Sequence, residues 1–390
     1  MKTPLLVFLA AVLITGVGVG IFYALQDPGD PDDFIPMSEL SKIERTNKMV
    51  KYEVENAQER GAVCNDGTAA VFYYREGENK NTNDWIIHLQ GGGSCGYDEE
   101  CIDRWKTQRF RMSSSSYPNQ MAGSGIMSPD PDKNPYFADY NHVYVKYCSS
   151  DVWAGNNTVE IMNQDVIFAG AQIVDSVFED LQNEDVMPGP TIKNADEILL
   201  TGSSAGGYGV THNLDRITES FPDARVTGIN DSSWNMTGDL TPPEGYEPDY
   251  PLTAEESMAY HNPRLDESCV EDHEDEPWQC RKPAYAGDYI ETPFFLYIDQ
   301  VDKLHLGNRG INDLNESMQQ QYRNEYAEII KDDIEDIDGV FSSRVGQHTA
   351  LTNPHFLSIM VDGYNYMQVL ASWYFDLDGP THVVEGSEIW

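Results

Sequence analysis

Residues 197–217 read EILLTGSSAGGYGVTHNLDRI, and the fold turns on how this stretch divides. Ile198, Leu199 and Leu200 make a short unbroken apolar run, the pattern of a strand buried on both faces. The run ends in Gly202-Ser203-Ser204-Ala205-Gly206, after which Val210, Leu214 and Ile217 recur at helical spacing. G-x-S-x-G between a strand and a helix predicts a nucleophile elbow. The turn is so tight that small residues must flank the serine while its hydroxyl stands clear of the sheet. Ser204 is the candidate nucleophile.

The alternation of strand and helix continues on both sides. Residues 39–57 have helical composition, and AVCNDGTAAVFYYREG (62–77) predicts a hairpin turning at Asn65-Asp66-Gly67. In DWIIHLQGGGSC the apolar Trp85, Ile86, Ile87 and Leu89 precede Gly91-Gly92-Gly93. Glycines after a buried strand let the backbone approach a ligand and aim N–H groups at it, so this loop is a candidate oxyanion hole, with the N–H of Ala205 as its second donor. No G-K-[ST] follows, which removes the phosphate-loop spacing. A further strand at 140–147 ends in CSSDVWAGN, whose Ser149 and Ser150 lack an elbow. Residues 165–182 repeat apolar positions at helical spacing. Strands are then expected at 225–229, before Asp231, and at 293–298, before Asp299 and Asp302. Such an order indicates an α/β fold, a mainly parallel central sheet with helices on both faces. The long polar stretch 235–290 is expected to be a cap near the site.

At 390 residues without an internal linker, the chain reads as one large domain, residues 39–390, preceded by two segments of different character. Residues 4–25 carry no charge and are long enough to cross roughly 30 Å of hydrocarbon. With Lys2 before them and Asp27, Asp30, Asp32 and Asp33 after, residues 1–25 are expected to be a signal anchor, or else a signal peptide, leaving the remainder outside the cytoplasm. Residues 26–38, rich in Asp and Pro, read as a tether. The 25 Lys plus Arg against 65 Asp plus Glu, a formal charge of −40, exclude an electrostatic grip on nucleic acid and restrict any membrane contact to the N-terminal segment. A monomer is expected. KDDIEDIDG fails as a calcium loop, because Ile334 stands where an EF-hand needs Asp. Six cysteines in an exported chain suggest disulfides. Proximity favours Cys95 with Cys101 and Cys269 with Cys280, leaving Cys64 for Cys148. No C-x-x-C pair is present, so no metal is expected from them.

A serine hydroxyl needs a histidine to take its proton and a carboxylate to orient that histidine. On an α/β-hydrolase scaffold the order is Ser, then Asp or Glu, then His. Beyond Ser204 the acid can be Asp231, Asp299 or Asp302, and the base His305, His348, His355 or His382. His348 follows the strand-like run GVFSS by a few residues, where the base-bearing loop should lie. Asp302 is preferred over Asp231 because the acid commonly follows the strand before the histidine's. Three residues separate Asp299 from Asp302, and spacing does not choose between them.

WIIHLQGGGSC with Cys101 six residues on, KYCSSDVWAG, LTGSSAGGYGV followed by NLDR, and NDSSW together resemble the pectin acetylesterase and Notum family of serine esterases, over about residues 62–373. The resemblance implies an exported carboxylic-ester hydrolase with a triad of Ser204, Asp302 and His348 and an oxyanion hole from Gly92, Gly93 and Ala205. No cofactor is implied. Two departures stand out: SSRVGQHTA around His348 lacks the cysteines of the plant members, and Gly93 takes the place of the bulky aromatic that follows the paired glycines in Notum. The charge of −40 suits a neutral or lightly charged acetylated glycan or small ester better than polygalacturonate. Hydrolysis of longer acyl chains, and a catalytically silent binding protein on the same scaffold, are the alternatives.

Overall fold

The computed structural model describes residues 47–78, 83–237, 240 and 254–386. The apolar run and tether of residues 1–38 lie outside these, as do residues 238, 239 and 241–253 of the expected cap. Among the described residues no helix is long and apolar enough to cross a membrane.

Among the described residues ten strands form one sheet. In chain order they are β1 (Lys48–Glu53), β2 (Val71–Arg75), β3 (Asp84–Leu89), β4 (Gln120–Ala122), β5 (Asn141–Val145), β8 (Glu197–Ser203), β9 (Arg225–Asp231), β10 (Phe294–Asp299), β11 (Gly339–Ser343) and β12 (His382–Val384); β6 (Asn157–Ile161) and β7 (Gln164–Phe168) make a separate hairpin. The spatial order is β12-β11-β10-β9-β8-β3-β5-β2-β1-β4. From β12 to β5 every pairing is parallel, while β2, β1 and β4 add antiparallel strands at one edge.

Burial on both faces explains why the central strands are apolar without alternation. Trp85, Ile87 and Leu89 of β3, with Ile198 and Leu200 of β8, face one layer; Ile86 and Leu199 face the other. The first layer receives Ile173, Val174 and Val177 of one helix, Gly170–Gln182, and Val210, Leu214 and Ile217 of another, Ala205–Ser220. The second is closed by Tyr366, Val369 and Leu370 of Tyr366–Phe375. Truncating a fully buried side chain such as Leu199 to alanine should cost roughly 2–5 kcal/mol.

The parallel register decides where chemistry can occur. Leu89 pairs with Gly202, Ser203 with Asp231, Asp231 with Tyr297 and Asp299 with Ser343, so the carboxyl ends of β3, β8, β9, β10 and β11 open on one edge. Open α/β sheets bind ligands at this edge.

Three local expectations are corrected. Residues 48–53 are strand, not helix, because pairing to β2 (Val50 with Tyr74) and burial of Met49 outweigh a weak helical propensity. The hairpin expected at 62–77 is reduced to a single bridge, Val63 with Ala69, and β2 pairs with β1 and β5 instead. The helix expected from 165 begins at Gly170, since QDVIF pairs with β6 and the Gly170 N–H is held by the Asp151 carboxylate at 2.6 Å. The six cysteines form Cys64–Cys148, Cys95–Cys101 and Cys269–Cys280.

Candidate active site

Ser204 caps the helix Ala205–Ser220 directly after β8, with φ 54° and ψ −125°. A non-glycine residue held there is strained, and the surroundings must enforce it. They do so by close packing. A Cβ on Gly202 would lie 2.0 Å from the carbonyl oxygen of Gly206, and one on Gly206 would lie 1.9 Å from that of Leu89. The chain can therefore turn only with glycine at both positions. The Ser204 N–H donates to the carbonyl of Asp231 at 2.8 Å, leaving the side chain at the head of a 16-residue helix, whose first N–H groups lack intrahelical acceptors and carry partial positive charge. The N–H of Ala205 is the first of these.

The glycine loop lies against this turn. A Cβ on Gly91 would be 2.5 Å from the Ser203 carbonyl oxygen and 2.9 Å from the Ser204 Cβ. Gly92 and Gly93 have φ of 153° and 66°, which glycine alone adopts freely. The segment 148–155 braces the loop from below: Trp153 Nε1 donates to the carbonyl of Gln90 at 3.0 Å, and the Cys95 N–H to that of Ser150 at 3.1 Å. Ser149 and Ser150 are fully buried and donate to Asp151 and Asn65 at 2.6 and 2.7 Å. Their hydroxyls serve structure.

His348 lies in the loop after β11, and its Nδ1 is 2.7 Å from Asp302 Oδ2. The other oxygen of Asp302 accepts the N–H groups of Leu304 and His305 at 2.8 and 3.1 Å, capping the helix Lys303–Asn308. A carboxylate so held fixes the imidazole with its proton on Nδ1 and its lone pair on Nε2. That Nε2 is buried and has no hydrogen-bond partner among the described residues. Burial works to raise the Asp302 carboxyl, but the imidazoles of His305 and His348 outweigh it and leave Asp302 below the usual carboxylate range. Since burial pushes His305 itself down to about 4, its ring is neutral at pH 7, and there the His348 hydrogen bond and the backbone N–H of His305 are what still act on the carboxylate. His305 accepts or donates at 3.0 Å to the Tyr326 hydroxyl and packs its ring edgewise 5.3 Å from that of His348.

Asp231 and Asp299 have other duties. Asp299 accepts from the N–H groups of Val345 and Gly346 at 2.9 and 3.0 Å and from the Ser343 hydroxyl at 2.8 Å, which pins the loop ahead of His348. Asp231 accepts from the N–H groups of Ala350 (3.0 Å) and Leu351 (3.2 Å), just beyond His348, and from the Ser203 hydroxyl at 2.5 Å. Through its carbonyl to Ser204 and its carboxylate to residues 350 and 351, Asp231 joins the serine turn to the histidine loop. Desolvation raises both carboxyls to about 6. Ser232 and Thr349, hydrogen-bonded to each other at 3.0 Å, both have φ near +60°. Neither this strain nor the structural work of Asp231 is visible in residue spacing.

The remaining histidine candidates sit elsewhere. His382 pairs with Val340 near the start of β11, at the opposite end of the sheet, and His355 opens the short helix His355–Ser358. For metals, Asp302, His305 and His348 offer ligand atoms within 4.8 Å of one another, as do Cys269, His273 and Cys280. The second set is spent in a disulfide. In the first, both Asp302 oxygens and His305 Nδ1 already hold hydrogen bonds that a cation would have to displace.

Residues 43–387 match the family described as Pectinacetylesterase. Palmitoleoyl-protein carboxylesterase notum1a of Danio rerio is 29% identical over 334 residues, covering 80% of this chain and 63% of the relative. The corresponding NOTUM of Homo sapiens is 29% identical over 335 residues, with 80% and 63% covered. The chain thus spans less than two thirds of the length of these relatives. A crystal structure of the Wnt deacylase Notum from Drosophila superposes with a TM-score of 0.75 at 26% identity, covering 87% of this chain and 96% of that one.

Proposed function

Because the chain belongs to the pectinacetylesterase family, we propose that it is a serine carboxylic-ester hydrolase in which Ser204, His348 and Asp302 form the triad and Gly92, Gly93 and Ala205 the oxyanion hole. The observation that carries this reading is the His348 imidazole, bound to Asp302 at 2.7 Å on one nitrogen and unpartnered on the other, in a loop tied by Asp231 to the serine turn.

The chemistry follows from the geometry. Nε2 takes the proton as Ser204 Oγ bonds to the ester carbonyl carbon, and the carbonyl oxygen becomes an oxyanion facing the N–H groups of the glycine loop and of Ala205. The tetrahedral intermediate collapses, the imidazolium gives its proton to the departing alkoxide, and the alcohol leaves. Water, deprotonated by the same nitrogen, then bonds to the acyl carbon; the second tetrahedral intermediate breaks its bond to Ser204 Oγ, the imidazolium returns its proton to that oxygen, and the carboxylic acid leaves. Asp302 stays ionised throughout.

The three disulfides support folding in an oxidising compartment outside the cytoplasm, with residues 1–25 as the export signal or anchor and residues 39–390 as the esterase domain. We place an acetylated glycan or small ester first as substrate. The names of the relatives, which describe removal of a palmitoleoyl group from protein, favour a second reading with longer acyl chains. Initial rates of the full-length protein on p-nitrophenyl acetate, butyrate and octanoate, beside Ser204→Ala, test both. Activity surviving in the variant would remove Ser204 from the mechanism, and the chain-length profile chooses between the acyl classes. Failure of a fluorophosphonate to label Ser204 would favour the silent binding protein.

A further inference from the structure

Guanidinium groups collect around the glycine loop of this strongly acidic chain. Arg104 is 5% exposed. Its Nε donates to the Ser150 hydroxyl at 2.8 Å, its Nη1 lies 3.7 Å from where a Cβ on Gly93 would stand, and its Nη2 is buried without a hydrogen-bond partner among the described residues. No carboxylate of the described residues comes within 4.0 Å of it. Arg111 approaches the same loop one residue earlier, its Nη1 3.1 Å from the Cβ position of Gly92.

A third cation reaches the loop through a histidine. Arg281 Nη2 is 2.8 Å from His261 Nδ1, and His261 Nε2 is 2.7 Å from the carbonyl oxygen of Cys95. Burial pushes His261 down to about 3, so the ring is neutral. With Nδ1 accepting from Arg281, its one proton lies on Nε2 and is donated to Cys95. Arg281 Nε is likewise buried and unpartnered among the described residues.

Burying a charge without a counter-ion is costly, and setting two cations side by side adds to the cost. Burial and the neighbouring Arg111 both work to lower the Arg104 guanidinium, and the Glu100 carboxylate, which makes no ion pair with it, offsets them only in part, yet an arginine stays charged. Holding Ser150 needs only Nε and would not require a cation. The arrangement is compensated when an anion forms at the loop, and the proposed reaction forms one there at each tetrahedral step.

Resting on the esterase reading, we propose that Arg104, assisted by Arg111 and by Arg281 through His261, is the fixed charge that makes the glycine loop stabilise the oxyanion. It acts through the loop as a positioning charge. Its contribution belongs to the transition state, where the negative charge exists, and not to binding of the neutral ester.

The test compares Arg104→Gln and Arg104→Lys in the full-length protein, using p-nitrophenyl acetate for kcat and KM and an alkyl boronic acid as inhibitor. The boronate forms an anionic tetrahedral adduct with an active serine, so its affinity reads the loop's charge directly. In Arg104→Gln, kcat should fall about 10- to 100-fold, below the 10²–10³ of a lost direct donor. KM should stay within about twofold, boronate affinity should fall in parallel with kcat, and Arg104→Lys should restore most of both. A folded Arg104→Gln with unchanged kcat overturns the proposal, as does a loss of kcat without weakened boronate binding, or a lysine variant no better than glutamine. If Arg104→Gln does not fold, half-buried Arg111→Gln decides: parallel losses of several-fold support the field, and unchanged kcat refutes it. An inactive wild type sinks the esterase reading itself, whereas an active wild type indifferent to these changes sinks only the role of the arginines.

Discussion

Replacing Asp302 by Asn separates chemistry from structure more cleanly than any other change at this site. Asparagine keeps one carbonyl oxygen, which can continue to accept the N–H groups of Leu304 and His305, so the helix cap survives at a cost below about 1 kcal/mol. The other oxygen becomes an NH₂ donor 2.7 Å from His348 Nδ1. Two donors cannot face each other at that distance, so the imidazole must turn its lone pair to Nδ1 and carry its proton on Nε2. It then has no base to offer Ser204. Loss of the correct tautomer costs about 10⁴ in kcat in a serine triad, equivalent to about 5.5 kcal/mol of barrier. Asp231→Asn should behave oppositely. Its carboxylate takes the Ser203 hydroxyl and two backbone N–H groups, and an amide would leave at least one of these donors unsatisfied, costing about 1–3 kcal/mol of stability. His348 would keep its tautomer. The assay is kcat on p-nitrophenyl acetate beside thermal unfolding of both variants. A kcat for Asp302→Asn within tenfold of wild type, or an equal loss in a folded Asp231→Asn, would refute this division of labour.

Stability should fall on mild acidification. Burial holds His88, His142, His212 and His261 down at about 3 and His305 at about 4, so as pH falls through the unfolded value near 6.5 the unfolded chain takes up protons that the folded chain refuses, a loss of about 2 kcal/mol per histidine between pH 8 and pH 5. The carboxyls of Asp151, Asp231 and Asp299, lifted by burial to about 6, work the other way but return only about 1.4 kcal/mol each over the same window. Tm at constant ionic strength should therefore decrease from pH 8 to pH 5, and a flat or rising profile would contradict it. Gly206→Ala, whose Cβ would stand 1.9 Å from the Leu89 carbonyl oxygen, should forfeit activity and destabilise by about 3 kcal/mol or more, measured by denaturant unfolding. Cys95→Ser with Cys101→Ser opens a short loop worth roughly 2 kcal/mol. Because that loop continues from the glycines, kcat should fall along with Tm.

The parallel core was legible because burial on both faces writes near-continuous apolar runs at 85–89, interrupted only by His88, at 198–200 and at 293–298. The strands at Lys48–Glu53 and Gln164–Phe168 were not, because both owe their conformation to partners distant in the chain or to a hairpin, and their own propensities are weak or mixed. The site shows the same boundary. Ser204 is marked by two glycines, one required within the turn by the carbonyl of Gly206 and the other by the carbonyl of Leu89 on the neighbouring β3.

The acid could not be picked out by spacing, for a physical reason. The loop after β11 crosses the sheet's carboxyl edge without regular secondary structure, so its N–H groups need acceptors from outside the loop. Strand ends opposite it supply them: Asp299 takes Val345 and Gly346, Asp231 takes Ala350 and Leu351, and Asp302 takes the imidazole between. Three aspartates, one at the end of β9 and two at and just past the end of β10, are thus what one well-held histidine loop requires. Only the atom each one meets, a backbone N–H or the ring Nδ1, separates the carboxylate that orients the imidazole from the two that hold its loop in place.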